Sequence, residues 1–256
     1  MQTALQKYLA HCTKNLFDYL HDFDSDKDAA SLHDLRVEIK KLRAIIKFLQ
    51  QIYPKQKLRK ASHNLRSVFQ ASGEIREYQL LQQWLSKYEF NAIEQTYFPS
   101  DKLKQIMQQF QKRLKGYKNN LEKVINKVED FVGKTKEIFA EQYFTELNAD
   151  LEQLCKKDLP ATGWHELRKL IKQRIYAYNW ITHKDSNDDK SFSYYNKLQE
   201  QIGQWHDLEI IKDAFSQKQI FLSQNLEVHK DFSKAWEKLT AQLKQKEKQI
   251  EESLSV

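Results

Sequence analysis

Apolar residues recur three and four positions apart along most of the chain, which is the spacing of amphipathic α-helices. In the first part of the chain, this pattern predicts helices over residues 2–21, 31–52, 55–71, 74–87 and 102–130. In the second part, it predicts helices over residues 134–156, 163–183, 191–201, 205–217 and 227–253. The same order of segments occurs twice, which indicates an all-α protein of two four-helix bundles, each with an extra segment.

The motif His-x-x-Arg-x-x-x-Lys occurs once in each set of predicted helices. The first copy runs from His33 to Lys40 and the second from His165 to Lys172. Because the copies lie about half the chain length apart, the sequence predicts an internal duplication. We therefore expect a first repeat over residues 1–130 and a second over residues 131–256, folded as two pseudo-symmetric bundles.

The first motif helix carries a stripe of positive charge. An α-helix turns about 100° per residue, so residues three, seven, ten and fourteen positions after His33 share its face. Those positions hold Arg36, Lys40, Arg43 and Lys47. Cations on one face repel each other unless an anion lies between them. The stripe therefore predicts a polyanionic ligand.

A glycine element follows each motif helix, as Ser-Gly-Glu-Ile-Arg-Glu around Gly73 and as Ile-Gly-Gln-Trp-His-Asp around Gly203. Such a glycine either ends a helix in a left-handed conformation or lets two helices approach closely. Arg174 lies where the core face of the second motif helix should be. That position predicts either a locally distorted helix or an arginine that extends to the edge of the bundle.

Composition narrows the classes of partner. Glycine and proline are scarce, at 5 and 3 residues, which favours helices over strands and turns. The formal net charge of +7 favours anionic partners. Cys12 and Cys155 lie far apart without metal-ligand spacing, which indicates buried or idle thiols in a reducing cytoplasm. No apolar run approaches the roughly 20 residues of a membrane-spanning helix, so no membrane partner is expected.

Sequence motifs for catalysis or cofactor binding are absent. The chain has no Walker loop, zinc-protease motif or nucleophile elbow. The aspartates at 22, 24, 26 and 28 have the spacing that opens a calcium loop, but Lys27 and His33 occupy the positions that need glycine and glutamate. We therefore expect no enzymatic activity, no metal and no cofactor.

The two motifs and the segment Leu198–Asp207 resemble the CHAD family, the histidine α-helical domain. The resemblance covers nearly the whole chain. It implies two pseudo-symmetric four-helix bundles that flank a basic central cleft or pore. It also implies binding of inorganic polyphosphate, and hence a cytoplasmic protein associated with polyphosphate granules.

The resemblance and the charge geometry together give the candidate ligands of phosphate. The principal candidates are His33, Arg36, Lys40, Arg43, His165, Arg168 and Lys172. Further candidates are Lys47, Arg59, Arg66 and Lys197. Ile175 and Asn179 stand where the first repeat has cations, so the second repeat is expected to bind phosphate more weakly. For the two histidines, phosphate binding and a structural bond between helices both stay open.

Two other functions remain open on the sequence alone. Basic helices bind the phosphate backbone of nucleic acids as well as polyphosphate, so an RNA- or DNA-binding protein is the second hypothesis. Tyr176, Tyr178 and Trp180 would favour it if they were exposed for stacking. A phosphohydrolase ranks last, because the spacing of Asp34, Glu38 and Glu166 does not bring their carboxylates together. The sequence gives no oligomeric state.

Overall fold

The computed structural model describes residues 3–26, 29–54, 58–155, 159–181, 188–220 and 223–255. Within these ranges the chain folds into α-helices joined by short connections, and it contains no strand. The all-α prediction is therefore confirmed. The helices are α1 (Ala4–Asp26), α2 (Ala29–Ile52), α3 (Arg59–Lys87), α4 (Asn91–Tyr97), α5 (Ser100–Val132), α6 (Glu137–Cys155), α7 (Ala161–Tyr178), α8 (Asp188–Gln217) and α9 (Leu226–Leu254).

The predicted helix breaks at the two glycine elements are wrong. Gly73 lies inside α3 and Gly203 lies inside α8, and neither has a positive φ angle. The left-handed residues come later, at Glu89 and Gln219, each two positions after the end of its long helix. Glycine costs about 1 kcal/mol in a helix interior, which a long packed helix tolerates. The sequence also missed the short helix α4.

The apolar side chains form two cores. The first core contains residues of α1, α2, α5, α6 and the first part of α3. The second contains residues of α4, α8, α9, most of α7 and the last part of α3. Each core therefore takes residues from both sides of residue 130. The internal duplication remains a prediction.

The two motif helices, α2 and α7, are fixed directly against each other. The Gln173 side-chain amide of α7 donates a buried 3.0 Å hydrogen bond to the Ala44 carbonyl of α2. Just beyond α7, Trp180 is fully buried in the first core and stacks on Tyr143, with ring centroids 6.1 Å apart. Because α7 is anchored in both cores, it cannot slide along α2 without breaking these contacts.

Arg174 contradicts both expectations from the sequence. Helix α7 is regular from Ala161 to Tyr178, and Arg174 is only 1% exposed. Its Nε donates to Asn148 Oδ1 at 2.6 Å, and its Nη2 donates to Ser191 Oγ at 2.8 Å. The guanidinium also lies over the Tyr195 ring, 4.8 Å from its centroid. This arginine joins α6, α7 and α8 in the interior instead of reaching the edge of the bundle.

None of the described helices combines the length and the apolar character that a bilayer crossing requires.

We expect Arg174→Ala to lower the free energy of unfolding by roughly 2–4 kcal/mol, because it leaves a cavity and removes the hydrogen bonds to the partly buried Asn148 and Ser191. Chemical denaturation followed by circular dichroism measures the change. Lys169→Ala is the control, since Lys169 is exposed on the same helix and its ion pair with Glu166 lies on the surface. Equal midpoints for the two variants would contradict the structural role of Arg174.

Candidate anion-binding site

Four cations of the two motif helices meet where α2 and α7 pack together. Burial, followed by the positive charges of Lys172, Arg36 and Arg168, lowers the pKa of Lys40 to about 7. Burial, followed by Arg168, lowers the pKa of Lys172 to about 8. Ammonium groups lose their protons this readily when desolvation and like charges act together. We call Arg36, Lys40, Arg168 and Lys172 the central cluster.

Arg36 lies across Gly73 of the neighbouring helix α3. A Cβ atom at position 73 would stand only 2.7 Å from Arg36 Nη1. The same Nη1 donates a hydrogen bond to the Phe69 carbonyl at 2.5 Å. The glycine therefore makes room for a guanidinium group, whereas the sequence had suggested a helix end or two closely packed helices.

Arg168 repeats this arrangement on α8. A Cβ atom at Gly203 would stand 2.8 Å from Arg168 Nη2, and Arg168 Nε donates to the Gln199 carbonyl at 3.3 Å. In both places, the accepting carbonyl comes four residues before the glycine. The two glycine elements thus seat the two motif arginines in the same way.

A carboxylate stands four residues after each glycine. Burial is the main cause of the lowered pKa values of Arg36 and Arg168. The negative charge of Glu77 partly offsets this lowering at Arg36, and that of Asp207 partly offsets it at Arg168. Asp207 also raises the pKa of Lys40 and of Lys172. Two carboxylates thus face the four cations of the central cluster in the part of the chain that the structure describes. The cluster keeps a net positive charge that an anion can neutralise.

Phe69 lies beneath the basic stripe of α2. Its ring centroid is 4.0 Å from the guanidinium carbon of Arg36, 5.3 Å from that of Arg43 and 5.7 Å from Lys40 Nζ. Cations are attracted to the face of an aromatic ring at such distances. Sequence reasoning missed this residue; the available signal was its place four residues before Gly73, on the same face of α3.

The motif histidines each have one basic or aromatic neighbour from the glycine element. His33 is exposed as a residue, but its ring is partly desolvated, and this desolvation, followed by the charge of Arg76, lowers the pKa of His33. The His165 ring lies 5.1 Å from the ring of His206, and burial, followed by His165, lowers the pKa of His206. Arg76 and His206 occupy the position three residues after the glycines. Both belong to the glycine elements, and neither was predicted as a ligand.

Three further predicted ligands extend the site outward along α2 and α3. Arg43 is exposed as a residue, but its guanidinium is partly desolvated. This desolvation, followed by the nearby charge of Arg66, lowers the pKa of Arg43. Lys47 is exposed one turn further along α2, where its charge acts on Glu166 at the start of α7.

The structure separates Lys197 from the other candidates. Lys197 lies on α8 about 120° around the helix from Gly203, and it lines a shallow pocket of about 170 Å³ against α9 with Ser253. Tyr194 lines the same pocket and donates to the Ser253 carbonyl at 2.9 Å. The side chain of Arg59 lies outside the described residues.

Metal ligands do not cluster in the described residues: no group of three or more histidine, cysteine, aspartate or glutamate side chains there could hold a metal ion.

Comparison with known proteins assigns the family. The family model of the CHAD domain matches residues 3–216. The chain belongs to the CHAD domain family. A solved structure, the crystal structure of the CHAD domain from the plant Ricinus communis, matches this CHAD domain with a TM-score of 0.75 at 16% identity, over 99% of this chain and 91% of that one. This likeness concerns the fold. No curated protein matches the sequence.

We expect Gly73→Ala to weaken binding of polyphosphate, the ligand implied by the family resemblance, by about fivefold, because the new methyl group displaces a charged hydrogen-bond donor. The same exchange should leave thermal stability unchanged or raise it, since alanine is the better helix former by about 1 kcal/mol. Melting curves and titration calorimetry measure the two effects. Gly116→Ala is the matched control, because nothing lies within 4 Å of that site on α5. A fall in stability without a loss of affinity would show that the glycine serves packing alone.

Proposed function

We propose that this CHAD domain binds inorganic polyphosphate without catalysis, in the site between α2 and α7. The observation that carries the proposal is the central cluster: four partly buried cations from two helices with two carboxylates beside them. A polyanion relieves their repulsion. Arginine offers a planar fork to phosphate oxygens, and lysine offers a compact charge that adjusts to its partner.

The position of the aromatic residues favours polyphosphate over single-stranded nucleic acid. Stacking with bases requires exposed rings. Trp180 is fully buried and Tyr178 is 7% exposed, so neither is available for a base. Tyr176 is also partly buried beside Arg168, and the face of Phe69 is occupied by cations. Polyphosphate itself does not stack on rings, because it presents only charged oxygens.

The positions of the carboxylates favour binding over hydrolysis. Glu38 is buried and pairs with Lys41 at 2.8 Å, toward α1. Glu166 pairs with Lys169 on the surface of α7. Hydrolysis of phosphate esters or anhydrides commonly uses carboxylates that converge on metal ions, and each of these two carboxylates is paired with a lysine of its own helix instead.

We also propose a cytoplasmic location beside polyphosphate stores. Cys12 and Cys155 are free thiols in the structure. Free thiols suit a reducing compartment, and the proposed ligand would have to be present there.

Titration calorimetry with long-chain polyphosphate, single-stranded RNA and a nucleoside triphosphate tests the proposal. We expect polyphosphate to bind most tightly at physiological salt, with an affinity that falls steeply as salt rises. Arg36→Ala/Lys40→Ala should weaken it on the order of 100-fold, because two charged hydrogen-bond donors are lost.

The control removes the same amount of charge elsewhere. Lys115→Ala/Lys118→Ala deletes two exposed lysines of α5 and should change the affinity little. Equal losses in the two double variants would mean that net charge alone attracts polyphosphate. Tighter binding of RNA than of polyphosphate would favour the nucleic-acid hypothesis.

Polyphosphate affinity should decrease as pH rises from 6 to 9. In the free protein, Lys40 loses its proton around pH 7 and Lys172 around pH 8. A bound polyanion raises both pKa values, so binding above those pH values requires proton uptake. The loss of affinity can reach about tenfold per pH unit for each lysine. Lys40→Arg/Lys172→Arg should flatten the profile, because arginine stays protonated. An equally steep profile in that variant would assign the pH dependence to other groups.

A further inference from the structure

We propose that Phe69 is a positioning residue of the polyphosphate site, whose aromatic ring holds three cations of α2 in place before the ligand arrives. This inference rests on the proposed function and adds to it a residue outside the motif. It also explains why the two halves of the site should bind phosphate unequally.

The three cations share one ring. Arg36 lies closest, with its guanidinium carbon 4.0 Å from the centroid, and Arg43 and Lys40 Nζ follow at 5.3 and 5.7 Å. Phe69 is partly buried and packs against the first core, which holds its ring in place on α3. The face of the ring is turned toward the cations of α2. The backbone of Phe69 contributes as well, because its carbonyl accepts the Arg36 hydrogen bond at 2.5 Å. One residue therefore contacts the basic stripe in two ways.

Apart from the Phe69 ring, few contacts stabilise these cations in the described part of the chain. In the described part of the chain, none of Arg36, Lys40 and Arg43 forms a direct ion pair with a carboxylate. Their like charges repel, and long side chains freed from the ring would spread into solvent. Holding a side chain in its binding conformation in advance removes the entropy cost of ordering it when the ligand binds. The ring thus prepares the site without neutralising its charge.

The second half of the site lacks this device. Gln199 occupies the position of Phe69: its carbonyl accepts the Arg168 bond, and it stands four residues before Gly203. Glutamine has no ring to hold a cation. The place of Arg43 is taken by Ile175, which packs against the second core. Because of these two differences, the cations on the α2–α3 side are better ordered for binding phosphate than those on the α7–α8 side.

Fluorinated phenylalanines at position 69 test the role of the ring. Successive fluorine atoms weaken the negative face of the ring while nearly preserving its shape, so packing stays constant as the cation attraction falls. We expect polyphosphate affinity to fall stepwise with one, two and three fluorines, with unchanged melting temperatures. Affinity that is independent of fluorine number would overturn the inference.

Ordinary substitutions provide a second readout. Phe69→Leu should weaken polyphosphate binding roughly tenfold, from the summed loss of three cation–ring contacts, and Phe69→Tyr should restore most of it. Phe131→Leu is the matched control, because Phe131 of α5 is also partly buried and, among the described residues, has one cation over its ring, Lys134 Nζ at 5.8 Å from the centroid. Equal affinities for Phe69→Leu and Phe131→Leu would overturn the inference and leave the proposed function standing. Failure of the wild-type protein to bind polyphosphate would instead remove the proposed function, and the inference with it.

Discussion

Repulsion between partly buried cations is the constraint on which the rest of this structure depends. Burial and like charge lower the pKa of Lys40 to about 7 and that of Lys172 to about 8, so the fold holds these groups in an unfavourable state. It can do so because α2 and α7 are rigid relative to each other, joined by the Gln173–Ala44 hydrogen bond and by the burial of Trp180 in the opposite core. An anion bound between these cations would relieve their repulsion.

The glycine elements allow the same long helices to pack into the two apolar cores and to border one charged site. A side chain at Gly73 or Gly203 would collide with the motif arginine, so α3 and α8 each leave a gap where a guanidinium group fits. The helix carbonyls beside the gaps accept hydrogen bonds from Arg36 and Arg168. Helices α3 and α8 therefore pack into the cores with one face and bind the motif arginines with another.

Helical periodicity predicted most of the fold, because each helix buries one continuous stripe whose spacing is visible in the sequence. The basic stripe of α2 was equally visible, since its members follow one another on a single helix.

Contacts between helices were not visible in the sequence. Gly73 was interpreted as a break because sequence shows the missing side chain and not the arginine that fills its place. Phe69 was missed because the cations that it contacts lie on another helix, and Arg174 looked out of place because its partners lie on α6 and α8. Lys197 was predicted as a ligand but lines a pocket against α9.

A crystal structure of the protein with a linear polyphosphate of defined length tests the central claim most directly, because the claim is that cations of both motif helices bind one ligand. The account predicts a phosphate chain between α2 and α7, with oxygens within hydrogen-bond distance of Lys40 and Lys172 at once and with Arg36 and Arg168 still seated on their glycines. A chain bound along one helix alone, or on the outer surface near Arg43 and Lys47 without contact to α7, would contradict it.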